Sequence, residues 1–365
     1  MMRSSIIIAA IFLLSFLSPG RRGLAAEGAA TEPSLEVKMD KKTQQATAAA
    51  LKWLAGKQNP DGSWSASDAK NNTGITSFAL LAFMSQGHLP GQGEYGPEVA
   101  KGTRFLIHSA REDGYLVGPG NGNMYCHGLA TLALAELWGM AGGENIRPVL
   151  KKATDLIIRC QNPQGGWRYD PVPADADISV TIMQVMALRA AKNSGIAVPN
   201  QTLDRAISYI RSMQDAASGG FGYQNNSAPG FSRTAAGVCV LQFCGQYDAK
   251  EIASGVQYLW GKAPFFGTEQ GLGIGGREFR GGRGGKRGGQ HFWYGQYYAA
   301  HAMHQVGGKM WRQWYAAAAQ LLLEHQSPEG YWDWNDSEKV GTVYQTSIAV
   351  IVLSIPAGYV PIFQR

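Results

Sequence analysis

The residues best suited to chemistry crowd one stretch near the C-terminus. Phe292-Trp293-Tyr294, Tyr297-Tyr298, His301 and His304 share one helical segment, and Trp311, Trp314 and Tyr315 follow on the next. Aromatic faces stabilise a cation or hold a sugar or a lipid. The plainer use of such rings is core packing. A second set comes from aligning six apolar helical segments on their ends. One column then reads Thr76, His127, Thr181, Thr234, Tyr297 and Thr346. Small polar residues at one depth either bond the preceding turn of their own helix or line a cavity. His127 and Tyr297 break the pattern and are the better functional candidates. Cys126 and His127 are adjacent, but a zinc site would need an acidic third ligand from elsewhere. No clustered Cys/His set stands at zinc spacing, and neither a metal nor a cofactor is expected.

The elements that must position these residues are helices in pairs. Gln58-Asn59-Pro60-Asp61-Gly62-Ser63-Trp64, Gln161-Asn162-Pro163-Gln164-Gly165-Gly166-Trp167 and Gln326-Ser327-Pro328-Glu329-Gly330-Tyr331-Trp332 are copies of one turn. Gln214-Asp215 with Gly219-Gly220-Phe221 is a stretched copy, and Arg111-Glu112-Asp113-Gly114-Tyr115 a worn one. The turns at Gln58, Ser109, Gln161 and Gln214 recur 51 to 53 residues apart. Pro sets φ and Gly supplies positive φ, so the chain reverses sharply. The Gln can bond carbonyls freed at the helix end, and the Trp can stack on the next pair. Each pair has a charged first helix and a second that is apolar or small almost all round. That pattern puts the first outside and the second inside. About twelve helices in six pairs predict an all-α fold, an α6/α6 double-walled barrel whose second helices form the inner wall.

Composition excludes several classes. The 365 residues are 45% hydrophobic and only 16% charged, enough to bury a large core. The net charge of +6 shows no basic stripe with interleaved aromatics, so no nucleic-acid partner is expected. Arg3, the apolar run Ile6 to Leu17 and the small residues at Ala25-Ala26 read as a signal peptide over 1–26. The other reading is an uncleaved N-terminal anchor. With cleavage, the protein is exported, periplasmic or extracellular, with no stable membrane anchor. Residues 27–38 read as a disordered leader, and 39–365 as the barrel. A Gly/Arg-rich insertion over 267–290 reads as a mobile loop. The four cysteines, Cys126, Cys160, Cys239 and Cys244, sit in apolar helical contexts and read as small buried residues.

The turns resemble the Gln-Trp repeats of the terpenoid cyclase and protein prenyltransferase superfamily, over Met39 to Arg365. The chain is most similar to exported bacterial prenyltransferase and squalene oxidase repeat proteins. Segments such as Met124 to Leu134 and Gln184-Val185-Met186-Ala187-Leu188 carry that likeness. The resemblance implies an α/α toroid that binds or modifies an isoprenoid or other apolar ligand in a central cavity. It also implies an acid. Class II cyclases protonate a polyene from an Asp-x-Asp-Asp motif, and Asp175-Ala176-Asp177 supplies two of its acids, with Asp177 the donor. Clustered, buried carboxyls keep one proton. Counted back from Ala187-Leu188, however, Asp177 falls on the first acid, Ser179 on the donor and Val180 on the last. The competing role is helix capping by Asp177 or Ser179. The expected ligand contacts are Tyr125, His127, Arg233, Trp293, Tyr294, Tyr297, His301 and Tyr344. A polysaccharide lyase-like carbohydrate enzyme, using Tyr297, His301, His127 or Arg233, and a non-catalytic envelope scaffold are the alternatives. Fold alone does not choose among them.

Overall fold

The structure, a computed structural model, describes residues 36–118, 122–263, 291–334 and 338–364. The signal peptide, nearly all of the leader, and the Gly/Arg-rich insertion lie outside the described residues. Residues 37–365 form one compact unit. It holds, among the described residues, twelve α-helices and no sheet.

The outer helices are α1 (Lys41–Gly56), α3 (Gly96–His108), α5 (Ile146–Arg159), α7 (Asn200–Ser212), α9 (Lys250–Lys262) and α11 (Gly308–Glu324). The inner ones are α2 (Thr73–Met84), α4 (Met124–Ala141), α6 (Ile178–Asn193), α8 (Phe231–Phe243), α10 (Phe292–Val306) and α12 (Thr342–Ser354). Each inner helix packs on the next, from α2 through α12 and back to α2, so the ring closes. All twelve residues of α2 are buried. In α5 the buried residues Leu150, Ala153, Thr154, Leu156 and Ile157 fall on one stripe. The inner wall thus has apolar neighbours on both sides and the outer wall on one, as the charge pattern requires.

The turns staple neighbouring pairs. Gln58 Nε2 donates to Gly62 O in its own turn and to Glu98 O on α3, both at 2.9 Å. Gln161 does the same with Gly165 O and Thr202 O at 2.8 Å, and Gln214 with Gly219 O and Glu251 O at 2.9 Å. The glycine makes room for this contact. Gly62 has φ +92°, and a Cβ there would stand 2.5 Å from Lys101 O on α3. The Trp looks backwards and forwards at once. Its indole N–H donates to a carbonyl of the preceding outer helix, as in Trp64 to Leu54 O at 2.8 Å and Trp167 to Ile157 O at 2.7 Å. Its ring touches the next pair at Gly102 of α3.

The polar column of the inner helices is the other half of this joint. Thr76 Oγ1 accepts from Trp64 N at 2.9 Å, Thr181 from Trp167 N at 3.1 Å, Thr234 from Phe221 N at 2.9 Å and Thr346 from Trp332 N at 3.1 Å. Neither of the two roles expected for this column covers the pattern. Each threonine latches its own inner helix to the turn that precedes it. Thr234 alone also bonds back, to Gly230 O at 2.8 Å.

Three of the inner helices begin on a side-chain cap. Asn72 accepts from Ile75 N, Asn123 from Tyr125 N and Cys126 N, and Asp177 from Ser179 N and Val180 N. At the opposite end of the barrel, the C-terminal segment folds across the helix ends. Phe363 stacks on His301 with centroids 4.2 Å apart, and Gln305 Nε2 donates to Gln364 O at 2.8 Å.

Candidate functional site

One end of the barrel is plugged; the other holds a cavity of about 1040 Å³. All six inner helices line it: Gly74, Ile75 and Phe78 of α2, Tyr125, Cys126 and Leu129 of α4, Ser179 of α6, Phe231, Ser232 and Arg233 of α8, Phe292, Tyr294 and Gln296 of α10, and Tyr344 of α12. Most of these lie in first turns, so the cavity occupies the N-terminal end of the inner wall. Asp68 and His291 are exposed at its rim.

Aromatic rings form part of its wall, among polar side chains such as Asn72, Asn123 and Gln296. Phe78 meets Tyr344 edge-on at 5.4 Å and Tyr297 at 5.6 Å. Tyr294 packs against Tyr298 at 4.7 Å and faces Tyr125 at 6.4 Å. The Tyr125 and Tyr298 hydroxyls are 3.3 Å apart. Burial holds the phenols of Tyr125, Tyr294 and Tyr344 neutral, each well above the ordinary range. At the rim, the Tyr169 and Tyr223 hydroxyls lie 3.3 Å apart. Arg233 is half-buried, and among the described residues no carboxylate stands within ion-pair distance of it.

Two carboxyls line this space. Asp68 is exposed, whereas Glu338 is half-buried. Glu338 Oε1 accepts from Tyr294 N at 3.2 Å, and its carboxyl stands near the Tyr344 hydroxyl. Burial raises its pKa above the usual glutamate value, against the pull of the Tyr344 hydroxyl and the Tyr294 N–H.

The expected site residues divide. Tyr125, Arg233, Tyr294 and Tyr344 meet in the cavity. Trp293 is fully buried behind the wall, and its indole N–H donates to Trp334 O at 3.0 Å. Tyr297 and His301 lie deeper, packed edge to face at 4.8 Å against the C-terminal plug. The Tyr297 hydroxyl and both ring nitrogens of His301 are buried without a hydrogen-bond partner.

His127 stands outside the cavity lining. Its Nδ1 accepts from Leu116 N at 3.0 Å, so Nε2 carries the proton and faces Ala153 O at 3.2 Å. Burial lowers its pKa to about 4. This is the threonine latch rebuilt in the worn repeat, with imidazole in place of hydroxyl. Both nitrogens are committed, so the neighbouring Cys126 gains no metal-binding partner in it.

Asp177 is likewise outside the lining. Its Oδ1 accepts from Ser179 N at 2.9 Å, Ser179 Oγ at 2.6 Å and Val180 N at 2.9 Å. Oδ2 faces Arg168 Nε at 3.8 Å. Asp175 is exposed and pairs with Arg168 Nη1 at 2.6 Å. The two carboxyls are therefore bridged by a guanidinium. Sequence reasoning missed Glu338. It follows no motif, and only a Tyr six residues on, at the start of an inner helix, hinted at its place. All four cysteines are free thiols, and Cys126 alone of them reaches the cavity.

A closed ring of helix pairs around an axial aromatic cavity defines an α/α toroid. The chain belongs to the prenyltransferase alpha-alpha toroid domain family, whose model matches residues 31–278. It is 25% identical over 210 residues to a squalene–hopene cyclase of Bradyrhizobium diazoefficiens. That match takes in 50% of this chain and 30% of the relative, so the chain spans under a third of the curated relative's length. Among solved structures, the type II terpene cyclase MstE from Scytonema superposes with a TM-score of 0.60 at 16% identity. The superposition covers 88% of this chain and 100% of that one. A GH76A alpha-1,6-mannanase of Salegentibacter sp. gives 0.63 at 10% identity, covering 87% and 99%. At these identities the likeness is one of fold.

Proposed function

We propose that the axial cavity binds an isoprenoid, or another apolar molecule of similar length, and that the protein acts on it there. One observation carries this reading: rings from four inner helices, Phe78, Tyr125, Tyr294 and Tyr344, face one cavity of about 1040 Å³. That volume stands at the upper end of small-molecule pockets, roughly 300–1,000 Å³. Apolar walls favour a ligand of hydrocarbon character. Aromatic faces also stabilise positive charge that develops on such a ligand. Tyr125, Tyr294 and Tyr344 contact the hydrocarbon in this reading, and Arg233 a polar end near the rim. Relatives support it. One MstE structure, with a TM-score of 0.58 at 17% identity, is a complex with geranylgeranyl dihydroxybenzoate as substrate, and the curated relative is a squalene cyclase. The protein works outside the cytoplasm, since residues 1–26 carry the marks of a signal peptide. Among the described residues no helix is long and apolar enough to cross a membrane.

The test is organic extraction and mass spectrometry of the purified mature protein, followed by native mass spectrometry with squalene and geranylgeraniol. Ala69 lines the cavity from a loop, and Ala69→Trp fills that space. Saturable isoprenoid binding, lost in a folded Ala69→Trp variant, is expected. Binding of an alpha-1,6-mannan oligosaccharide and none of either isoprenoid would transfer the site to carbohydrate chemistry. The mannanase-like fold makes that the natural rival.

A further inference from the structure

The plugged end of the barrel is built unlike a sealed core. Tyr297, His301 and Gln305 follow one another at four-residue spacing on α10, so they share one face of the helix. That face runs from the floor of the cavity to the plug. Tyr297 meets Phe78, a cavity-lining ring, edge-on at 5.6 Å. It also meets Phe363 of the plug, at 6.3 Å. One ring therefore stands between a wall residue of the cavity and the segment that closes the far end. Along this face four polar atoms are shut away without a partner: the Tyr297 hydroxyl, both ring nitrogens of His301 and Oε1 of Gln305. Glu136 of α4 adds a buried carboxyl, near enough to act on the Tyr297 phenol. A core that stayed shut would gain by replacing such groups with apolar ones of the same shape. Water pairs them only when the plug is lifted.

The plug is hung so that it can lift. After α12 the chain makes a short 3-10 turn, Ile355–Ala357, and turns a corner at Gly358, where φ is +66°. A Cβ at Gly358 would meet nothing within 4 Å, so this corner stands clear of the packing. Beyond it, Val360, Ile362 and Phe363 are buried. Gln364 Nε2 donates back to Gly358 O at 2.7 Å, so the segment holds its own shape and moves as one piece. Among the described residues, its hydrogen bonds to the wall are that from Gln305 Nε2 to Gln364 O and a long one, Ile362 N to Glu136 Oε2 at 3.4 Å. We propose that residues 359–364 are a stopper, hinged at Gly358, over a second mouth of the axial cavity. Lifting it, with a swing of the Tyr297 ring, joins the cavity to solvent at the end opposite the rim. The α10 face then becomes the wall of the passage, and its unpaired groups take up water. Phe363, stacked on His301, holds the closed state. The passage does not depend on what the cavity binds; that its traffic is an isoprenoid rests on the reading above.

Two measurements on the full mature chain test this. Amide exchange of the wild type is followed at low urea concentrations. The amides of Ile362 and Phe363 are expected to exchange through a local opening that urea barely changes, while those of α10 and α12 wait for global unfolding. Plug amides that exchange only with α12, at its urea dependence, overturn the stopper. The second measurement places a thiol behind the plug with Glu136→Cys, which leaves the Phe363–His301 stack in place. Its reaction with methyl methanethiosulfonate is read by peptide mass spectrometry. Adding Phe363→Ala is expected to speed labelling by about tenfold or more, as loss of a buried aromatic anchor implies. Adding Ala69→Trp, which fills the rim side, is expected to leave the rate unchanged. Labelling that Ala69→Trp slows and Phe363→Ala leaves alone reaches the thiol through the cavity and overturns the second mouth. A rate indifferent to both substitutions overturns it as well. The exchange measurement needs no substitution, so it decides the matter should Phe363→Ala fail to fold.

Discussion

Gln326, in the last turn, donates its side-chain N–H to the carbonyl of Ala46 on the first helix at 2.9 Å, across 280 residues of sequence. It repeats the bond that Gln58, Gln161 and Gln214 make to the outer helix following each of them. The same turn places Gly330 at φ +98°, where a Cβ would stand 2.7 Å from Ala49 O. The ring is therefore closed by one more copy of the joint that builds it. A solenoid with this joint would expose an edge at each end; the toroid exposes none.

The Gln joint should be worth most where it is driest. Gln161 is buried, and both of its bonds are 2.8 Å. Gln161→Ala leaves two carbonyls without that donor and should cost about 1–3 kcal/mol, with Gln326→Ala nearer 0.5–1.5 kcal/mol, about what a part-exposed bond contributes. Urea denaturation of both variants measures this. Equal losses would mean that closure of the ring is as tight as its interior.

The threonine latch gives a near-isosteric test. Thr181→Val keeps the volume and removes the acceptor for Trp167 N. A buried donor left unpaired should cost about 1–3 kcal/mol. Thr181→Ser retains the hydroxyl and should recover most of it. A thermal melt in which valine and serine behave alike would show that the methyl, not the bond, holds the turn.

The Asp177 cap is a stability prediction in its own right. Asp177→Ala removes the acceptor of Ser179 N and Val180 N and should destabilise by about 0.5–2 kcal/mol. Asp177→Asn, which still accepts, should lose only a part of that. Amide exchange in the first turn of α6 locates the effect, and unchanged protection there in the alanine variant would refute it.

Stability against pH should show two opposed contributions. His127 and His301 are held neutral, with burial lowering their pKa values from 6.5 to about 4 and about 3. The unfolded chain binds those protons first, so their stabilisation is complete above pH 6.5 and is lost as pH falls below it. Glu136 runs the other way, because burial raises its pKa from 4.5 to about 7. Its folded form keeps a proton the unfolded form has released, so stability falls with rising pH between 4.5 and 7. Glu136→Gln should steepen the rise of stability from pH 4.5 to 6.5 and abolish the decline toward 7. Denaturant midpoints across that range measure both slopes.

Much of the architecture is legible in the chain itself. Periodicity decides it, because an inner helix must be apolar all round and an outer one on a single stripe. The Gln, Gly and Trp of each turn are needed within a few residues of one another, so local sequence records them. Helix starts are less legible: α2 begins at Thr73 because Asn72 caps it, and a cap depends on one side chain rather than on a period.

The site was legible only where it coincides with the repeat. Tyr125, Arg233, Tyr294 and Tyr344 occupy first turns of inner helices, and first turns are what the barrel brings together. His127 looked exceptional in its column, yet it does the work of the threonines beside it. Asp175 and Asp177 are close in sequence, but extended backbone sends one to solvent and the other into a cap. Glu338 precedes α12 in a loop with no periodicity. It meets Tyr294, 44 residues away, only because the ring sets α10 beside α12. Repeat and composition determined that this protein is a toroid. Which carboxyl faces its interior was decided by closure of the ring, since helix spacing dictates depth along a wall and tertiary packing dictates what stands opposite.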